Sequence, residues 1–514
     1  MAVNRRKLGA LLCALLATAA VAGTAAASHT GTPGVTKKQI VIGGTFPLTG
    51  PAALYATIPA AEAAYYAYVN AHGGVFHRKI VDKVLDDQYD PSQTVPQTTK
   101  LVEQNHVFAV VGSLGTAPIL ATWNYLNTRK IPQVLVATGD AYWGNCVHHK
   151  CQGSTKPWTL GWQPDYPGEA KLYSHYILAH KAGAKIGVIY QNDAYGKNYL
   201  AGLKTGLGSH ANEIVDAESY NLGDSAQVIA AHIVALRAHG ADTFVIFATP
   251  TASIQSLVAK TLIGWNPLTF LNNVSANRIF ELKAAQSGAN LDGVISTGYV
   301  ASQTLQPNLP GMKLAKNIIH TYAPSLDQDF AAGDLNLVYG LGSAWTFVYA
   351  LKHAGKNPTR ASLMKALRHM NTTKNPFLYP GITLQTSAKR TFPMEQLTTS
   401  TTRRRLFRRP RSSSSRTTFS PSSAVSARRR SSPRGTTSTR GRSRRCSSPP
   451  ATRTGATAST TSARARRSRG RSAGSRTIRG RRSSTPITSS RTRRARRSAS
   501  STRTTPTART TSPA

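Results

Sequence analysis

Short apolar runs alternate with longer amphipathic segments through most of the chain, from residue 39 to residue 369. Most of the runs are continuous, which is typical of strands buried on both faces of a parallel sheet. The longer segments repeat their apolar positions at helical spacing and end near Gly, Pro or polar turns. This pattern predicts βαβ units, in which helices cover both faces of a parallel sheet. The predicted strands are 39–43, 80–86, 107–111, 133–137, 186–190, 243–247 and 294–297.

Two equivalent series of these units follow each other, one ending before Trp158 and one beginning after Lys185. The Pro- and aromatic-rich segment 157–167 interrupts the alternation, so it is expected to cross between two α/β lobes. The length of the chain suits two Rossmann-like lobes that share one cleft. The predicted helices are 54–71, 94–104, 119–128, 169–180, 196–207, 226–238, 253–261, 335–352 and 361–369.

The composition of the chain changes abruptly after Leu397. Residues 398–514 contain 32 Arg but no Lys, Asp or Glu, among Ser, Thr, Ala, Gly and Pro. Without these 32 charges the net charge of +43 falls to +11, so the body of the chain is only mildly basic. The tail has too few apolar residues to bury and is expected to be disordered. Arg without Lys or acids is typical of GC-rich codons read out of frame, and the hypothesis is that a frameshift produced this tail.

Residues 1–27 have the pattern of a signal peptide. Arg5, Arg6 and Lys7 precede an apolar stretch, and Ala25 and Ala27 fit an Ala-x-Ala cleavage site. The two arginines leave twin-arginine export open, although a basic start is more common on Sec signals. No later segment has the apolar length of a membrane span. The body is therefore expected outside the cytoplasm, in the periplasm or at the cell exterior.

Two cysteines, Cys146 and Cys151, fall in the exported body. An oxidising compartment favours a disulfide between them. A metal site that uses His148 and His149 is the alternative, but no third cluster with ligand spacing accompanies this pair. No metal or cofactor is expected.

Ligands of open parallel α/β sheets bind beyond the carboxyl ends of the strands, so the loops at those ends are the candidate site. Residues 112–117 combine glycines with Ser113 and Thr116 and lead into a helix, whose N-terminus favours an anion such as a carboxylate. The alternative role of both hydroxyls is helix capping. The next loop, 137–143, faces the same crevice.

On the second lobe, residues 191–196 also follow a strand and begin a helix. Tyr195 is placed to close over a ligand, or alternatively to pack against its own helix. Thr249 ends the next strand and is a further candidate. The chain contains no Gly-x-Ser-x-Gly, no His-Glu-x-x-His, no phosphate loop and no Gly-x-Gly-x-x-Gly after a strand, so an enzyme is not expected.

Residues 40–397 resemble the branched-chain amino acid type of periplasmic binding protein, which has the type I fold. The motifs that carry the resemblance occur in order along the chain. They are IGGTFPLTG at 42–50, VVGS at 110–113, IPQVLVATG at 131–139, WQPDY at 162–166 and IYQNDAYGK at 189–197.

The resemblance implies two lobes joined by a three-strand hinge, which close on a ligand and then dock on the membrane permease of an ABC importer. It implies a monomer, with residues 36–158 and 298–376 in the first lobe and residues 159–297 and 377–397 in the second. It places the hydroxyl that receives the ligand carboxylate on Thr116 and the covering aromatic on Tyr195. Further contacts fall on the backbone of Gly139 and Ala141 and near Thr249.

One departure from the family concerns the ammonium group of the ligand. Where the amino-acid binders carry an acid, this chain has Asn273, Val274 and Ser275. An unpaired ammonium is expensive to bury. The expected ligand is a small molecule with a carboxylate, such as an amino acid, an amide or an aromatic acid, and Asn273 disfavours a standard amino acid.

Two other functions remain open at this point. In the first, the body of the chain is a ligand sensor for a signalling partner. In the second, the arginine-rich tail binds nucleic acid or an anionic surface through phosphate contacts. Export disfavours nucleic acid as a partner, and none is expected for the body.

Overall fold

Two separate parallel sheets organise the chain in this computed structural model, which describes residues 31–143, 156–387 and 394. The expected signal peptide, the Cys146–Cys151 disulfide and the tail after 397 lie outside the described residues. The first sheet has the strand order β2-β1-β3-β4-β5 and the second the order β7-β6-β8-β9. The strands are β1 Gln39–Phe46, β2 Lys79–Asp86, β3 Val110–Val111, β4 Gln133–Val136, β5 Thr159–Gly161, β6 Ile186–Gln191, β7 Ile214–Tyr220, β8 Thr243–Phe247 and β9 Leu268–Leu271.

Every strand pair in these two sheets is parallel, and helices connect most consecutive strands. The predicted fold class, two α/β lobes with parallel sheets, is therefore confirmed. A short antiparallel pair, β10 Asn371–Thr372 with β11 Leu384–Gln385, follows later in the chain. The helices are α1 Thr57–Ala71, α2 Pro91–Glu103, α3 Thr116–Thr128, α4 Tyr166–His180, α5 Ala194–Leu207, α6 Ala226–Ala238, α7 Pro250–Leu262, α8 Arg278–Gln286, α9 Pro310–Tyr322, α10 Asp327–Ala332, α11 Leu335–His353 and α12 Arg360–Arg368.

The second sheet is buried on both faces, as its continuous apolar strands predict. Successive residues of one strand enter different cores: Val188 packs with Phe270 on one face, and Ile189 packs with Phe244 on the other. Helices α4 and α5 contribute to the first of these cores, and α6 and α7 to the second. Because the sheet is covered on both sides, its loops are the exposed polar surface from which a site can be built.

The boundaries between the lobes differ from those expected. Strand β5 pairs with β4 and therefore belongs to the first sheet. Phe377 and Leu384, expected in the second lobe, lie in the core of the first, where the Phe377 ring packs edge-on against Tyr65. The predicted strand 294–297 is reduced to a single bridge between Phe270 and Ile295. None of the described helices is long and apolar enough to cross a membrane.

Candidate ligand-binding site

The loops at the carboxyl ends of the two sheets are in contact with each other. The hydroxyl of Tyr55, after β1, donates to the carbonyl of Val274, after β9, at 3.2 Å. At another point the backbone N–H of Ala141 donates to Asn198 Oδ1 at 3.2 Å. The lobes therefore meet where ligands of such sheets bind, and they enclose the residues between them.

Thr116 lies at the start of α3, on the floor of this enclosure. Its side chain is completely buried and shares a hydrogen bond of 2.7 Å with the hydroxyl of Thr138, which follows β4. The preceding Gly115 has φ of 105°, and a Cβ atom there would lie 2.7 Å from the ring of Tyr89. A side chain at position 115 would therefore displace Tyr89 from the site.

Ser113 has a structural contact in this arrangement. Its Oγ accepts a hydrogen bond of 3.0 Å from the backbone N–H of Thr45, which joins the loop after β3 to the end of β1. The side chain is buried. Ser113 thus fixes the loop that presents Thr116, and its role as a direct ligand contact stays a prediction.

Five tyrosines from both lobes surround the enclosed space. Tyr55 and Tyr89 come from the first lobe, Tyr166 begins α4, and Tyr195 and Tyr220 come from the second lobe. All five are buried. Burial, and then the neighbouring phenols of the other four, raise the pKa of Tyr195 well above its usual value. This influence indicates that the other four phenols lie near Tyr195.

The two residues on which the sequence analysis depends, Thr116 and Tyr195, border the same space. The ring of Tyr166 lies 5.1 Å from that of Tyr195, at 81°. Burial raises the pKa of Tyr166, and the hydroxyls of Thr138 and Thr116 beside its phenol oppose this rise. One tyrosine ring therefore separates the hydroxyl on the first lobe from the aromatic on the second.

Thr249 joins this group through Tyr220. The Tyr220 hydroxyl is 3.1 Å from Thr249 Oγ1 and accepts from the backbone N–H of Thr249 at 2.9 Å. A cavity of about 350 Å³ opens beside them, between the lobes. It is lined by Pro51, Tyr220, Leu222, Gly223, Asp224, Ser225, Thr249, Thr251, Ala252 and Gln255.

Asn273 is held by an acid that sequence reasoning missed. Its backbone N–H donates to Glu169 Oε1 at 2.7 Å, and its side-chain amide also donates to this carboxylate. Glu169 further accepts from the hydroxyls of Tyr173 at 2.5 Å and Tyr199 at 2.7 Å. Burial raises the pKa of Glu169, while these donors oppose the rise. With four donors, this carboxylate is saturated.

Two further acids face each other across the lobes. Asp193 caps α5, and its oxygens accept from the backbone of Gly196 and the side chain of Gln191. Asp140, after β4, is completely buried. Burial, and to a smaller extent the charge of Asp193, raise the pKa of Asp140 to about 7, while the hydrogen bond from the backbone of Tyr142 opposes the rise. Neither acid forms an ion pair with a described Lys, Arg or His.

Gly139 and Ala141 flank Asp140 and are placed by backbone bonds. The carbonyl of Gly139 accepts from the backbone N–H of Tyr166 at 2.7 Å, and the N–H of Ala141 is used by Asn198. The predicted contacts of these two residues with a ligand stay predictions. The tyrosines and Asp140 follow strands, and this position is the signal by which a sequence search could have found them.

The fold and this enclosure define a class of protein, a two-lobed α/β binding protein with its site between the lobes. A family profile described as periplasmic binding protein matches residues 39–397, more than half of the chain. The chain belongs to this family.

A curated relative is the Leu/Ile/Val-binding protein homolog 3 of Brucella melitensis. It is 27% identical over 207 residues, which are 40% of this chain and 53% of the relative. The chain therefore spans about half the length of this relative in the match.

Solved structures show the same fold over nearly their whole length. A branched chain amino acid ABC transporter protein from Thermus thermophilus with bound valine is 17% identical, with a TM-score of 0.61 over 70% of this chain and 92% of that one. A fatty acid ABC transporter substrate-binding protein from Thermomonospora curvata is 22% identical, with a TM-score of 0.58 over 71% and 89%. At these identities the likeness concerns the fold alone.

Proposed function

We propose that the protein is an extracytoplasmic solute-binding protein that captures a small carboxylate-bearing ligand between its lobes and delivers it to the permease of an ABC importer. The observation that carries this proposal is that Thr116 of the first lobe and Tyr195 of the second lie on either side of the Tyr166 ring, where the loops at the carboxyl ends of the two sheets meet. The relatives, a Leu/Ile/Val-binding protein homolog and binding proteins of ABC transporters, support it. The protein binds and releases its ligand unchanged, as a monomer.

The start of α3 is the proposed carboxylate site. The hydroxyls of Thr116 and Thr138 lie there together with the N-terminus of α3, which no side chain caps. These groups donate hydrogen bonds to an anion, and the helix dipole adds roughly 0.3–1 kcal/mol. A ligand held there contacts the second lobe only when the lobes meet, so its binding energy favours the closed form. The permease recognises that closed form.

A ligand screen with two threonine variants tests the proposal. The mature chain is melted with amino acids, their deaminated acids, amides and aromatic acids, and one class is expected to raise the melting temperature. Thr116→Val should weaken binding of that class at least about tenfold, because a buried donor to a charged group is lost. Thr122→Val on the same helix is the control, since that hydroxyl bonds only to Ile119 and Gln133.

The control is expected to lose stability without losing affinity. If no compound in the screen raises the melting temperature, the proposed function is contradicted. Equal affinity losses in both variants would remove Thr116 from the site.

A sensor for a signalling partner is the second candidate, because the same enclosure serves it equally well. If genes for a permease and an ATPase lie beside the gene for this protein, transport is favoured. A neighbouring gene for a membrane-bound signalling protein favours sensing.

A further inference from the structure

A groove with a volume of about 400 Å³ opens between the end of α11 and α12, on the first lobe. Its lining includes Tyr349, His353, Lys365 and His369. Asp334 caps the start of α11 and bonds to the second lobe, whereas the groove lies at the other end of this helix of 19 residues. A rise of about 1.5 Å per residue separates the two ends by about 28 Å. The α11–α12 groove is therefore remote from the candidate ligand-binding site.

The lining of this groove contains three bases and no acid. Lys365 lies on α12, His369 directly follows it, and His353 ends α11; all three side chains are exposed. The sequence has no Asp or Glu between Asp334 and Glu395. None of the three bases forms an ion pair with a described Asp or Glu. The described part of the chain therefore leaves the positive charge of the groove without a counter-charge.

Two arginines of α12 add to this positive charge. Arg360, at the start of the helix, donates to the backbone carbonyls of Val107 and Phe108, both at 2.9 Å. Arg368, at its end, donates to the backbone carbonyl of Pro157. A carbonyl accepts such a bond without cancelling the charge, so both guanidinium groups keep theirs on the helix that forms one wall of the groove. Charge of one sign around a concave site attracts ligands of the other sign.

Helix ends in the second lobe show the opposite arrangement. Lys181, directly after α4, pairs with Asp242 at 3.0 Å. His239, directly after α6, pairs with Asp216 at 2.6 Å. Bases at the ends of helices are thus matched by acids in that lobe, and the unmatched bases of the α11–α12 groove are a local feature.

Hydrogen bonds fix the tautomer of both histidines of the groove. Nδ1 of His353 lies 2.8 Å from the carbonyl oxygen of Tyr349, and Nδ1 of His369 lies 2.9 Å from that of Lys365. Because a carbonyl only accepts, Nδ1 carries the proton and Nε2 is available to a ligand. The ring of His353 also contacts that of Tyr349, with 4.1 Å between the centroids. A protonated ring donates from Nε2, as Lys365 does from its ammonium group.

We propose that the α11–α12 groove is a second binding site, whose ligand is a small phosphate monoester. A phosphate monoester has nearly two negative charges and three acceptor oxygens, which match the three bases Lys365, His353 and His369. The groove of about 400 Å³ has the volume of a small-molecule site. It therefore has room for the organic part of the ligand, with the half-buried ring of Tyr349 as an apolar wall. This site is separate from the proposed ligand site between the lobes.

The ring-proton NMR signals of the histidines test this proposal on the full mature chain. The arginine-rich tail contains no His, so it gives no signal in this measurement. At about pH 6.5 imidazoles are partly protonated and a phosphate monoester is mostly a dianion. Glycerol 3-phosphate, added at constant ionic strength, should shift the signals of His353 and His369 along one saturating curve. The variants His353→Gln and His369→Gln assign the two signals.

His180 is the matched control ring. Its Nδ1 lies 2.9 Å from the carbonyl oxygen of Tyr176, and its ring stacks on that tyrosine at 4.1 Å, but on the second lobe. Its signal should not follow the curve. Lys365→Gln should weaken binding of glycerol 3-phosphate about tenfold, because one charged donor is lost. Lys283→Gln, the same change on α8 of the second lobe, should bind like the wild type.

Dimethyl phosphate represents the phosphate diesters of lipids and polymers. It has one negative charge and should bind more weakly than glycerol 3-phosphate. An equal shift of His180, unchanged binding by Lys365→Gln, or equal affinity for dimethyl phosphate would overturn the proposal. None of these outcomes affects the proposed function, which concerns the site between the lobes.

Discussion

The titration of Asp140 makes the stability of the ligand-free protein depend on pH. Its pKa rises from the ordinary 3.8 to about 7 because burial disfavours the charged form. The folded protein therefore binds this proton more tightly than the unfolded chain does. Stability falls as the pH rises from about 4 to about 7 and is constant above, with a total loss from this group of about 4 kcal/mol at most.

Asp140→Asn should remove that dependence. The melting temperatures of the ligand-free variant and the wild type are expected to coincide near pH 4, and the variant should become the more stable as the pH approaches 7. Other buried acids, such as Asp82 with a pKa of about 7, contribute equally to both proteins and cancel in the comparison. A difference that is the same at every pH would contradict the prediction.

The sequence analysis identified some of the individual residues of the candidate site. Thr116 and Tyr195 were found because both follow a strand and begin a helix. Tyr220 was missed because its strand, β7, has a polar sequence that does not resemble a buried strand. Asp140 belongs to the loop 137–143, which the sequence analysis placed at the crevice, but its complete burial could not be read from the sequence.

Glu169 joins three elements of the second lobe. It lies on α4 and accepts from Tyr199 on α5 and from Asn273 after β9. Glu169→Gln replaces one acceptor oxygen by an amide that is itself a donor, so several donors lose their partner. We expect a loss of about 2–4 kcal/mol in the free energy of unfolding, measured by urea titration.

Tyr173→Phe is the companion variant, because it removes only one of the bonds to Glu169. Its expected loss is about 1 kcal/mol. Equal losses in the two variants would mean that the carboxylate contributes through the Tyr173 bond alone.

Elements with a strong apolar pattern were predicted well. Helix α6 was predicted with both ends as observed, and β8 likewise. The apolar run 294–297 forms only one bridge, since such runs also occur in extended connections. Helix α9 was not predicted, although its apolar face packs in the first core and it begins at Pro310. Pro is in fact favoured in the first helical turn.

Asn277 links the two lobes of the whole molecule. Its side-chain amide donates to Asp334 Oδ1 at 2.6 Å, and its Oδ1 accepts from the backbone N–H of Leu335. If these bonds belong to the closed form, Asn277→Ala should weaken ligand binding about 5- to 30-fold, which corresponds to about 1–2 kcal/mol. Thr359→Ala removes the cap of α12, which contributes no residue to the candidate site, and should leave affinity unchanged. The same loss in both variants would assign the effect to helix capping.

The end of the family match bears on the tail. The match ends at residue 397, where the composition changes. A chain that ends at Leu397 is therefore expected to have the melting temperature and ligand affinity of the full chain. The frameshift hypothesis is tested separately, by reading the DNA beyond codon 397 in the other two frames. Without apolar, strand-like sequence in either frame, that hypothesis fails.

Asp140 follows β4 of the first lobe and Asp193 caps α5 of the second, and the charge of Asp193 raises the pKa of Asp140, so the two carboxyls repel each other where the lobes meet. In an ABC importer, a closed binding protein without ligand would occupy the permease and cause ATP hydrolysis without transport. A ligand that contacts both lobes would offset this repulsion. The two acids would then help to ensure that the permease meets the closed form only when a ligand is bound.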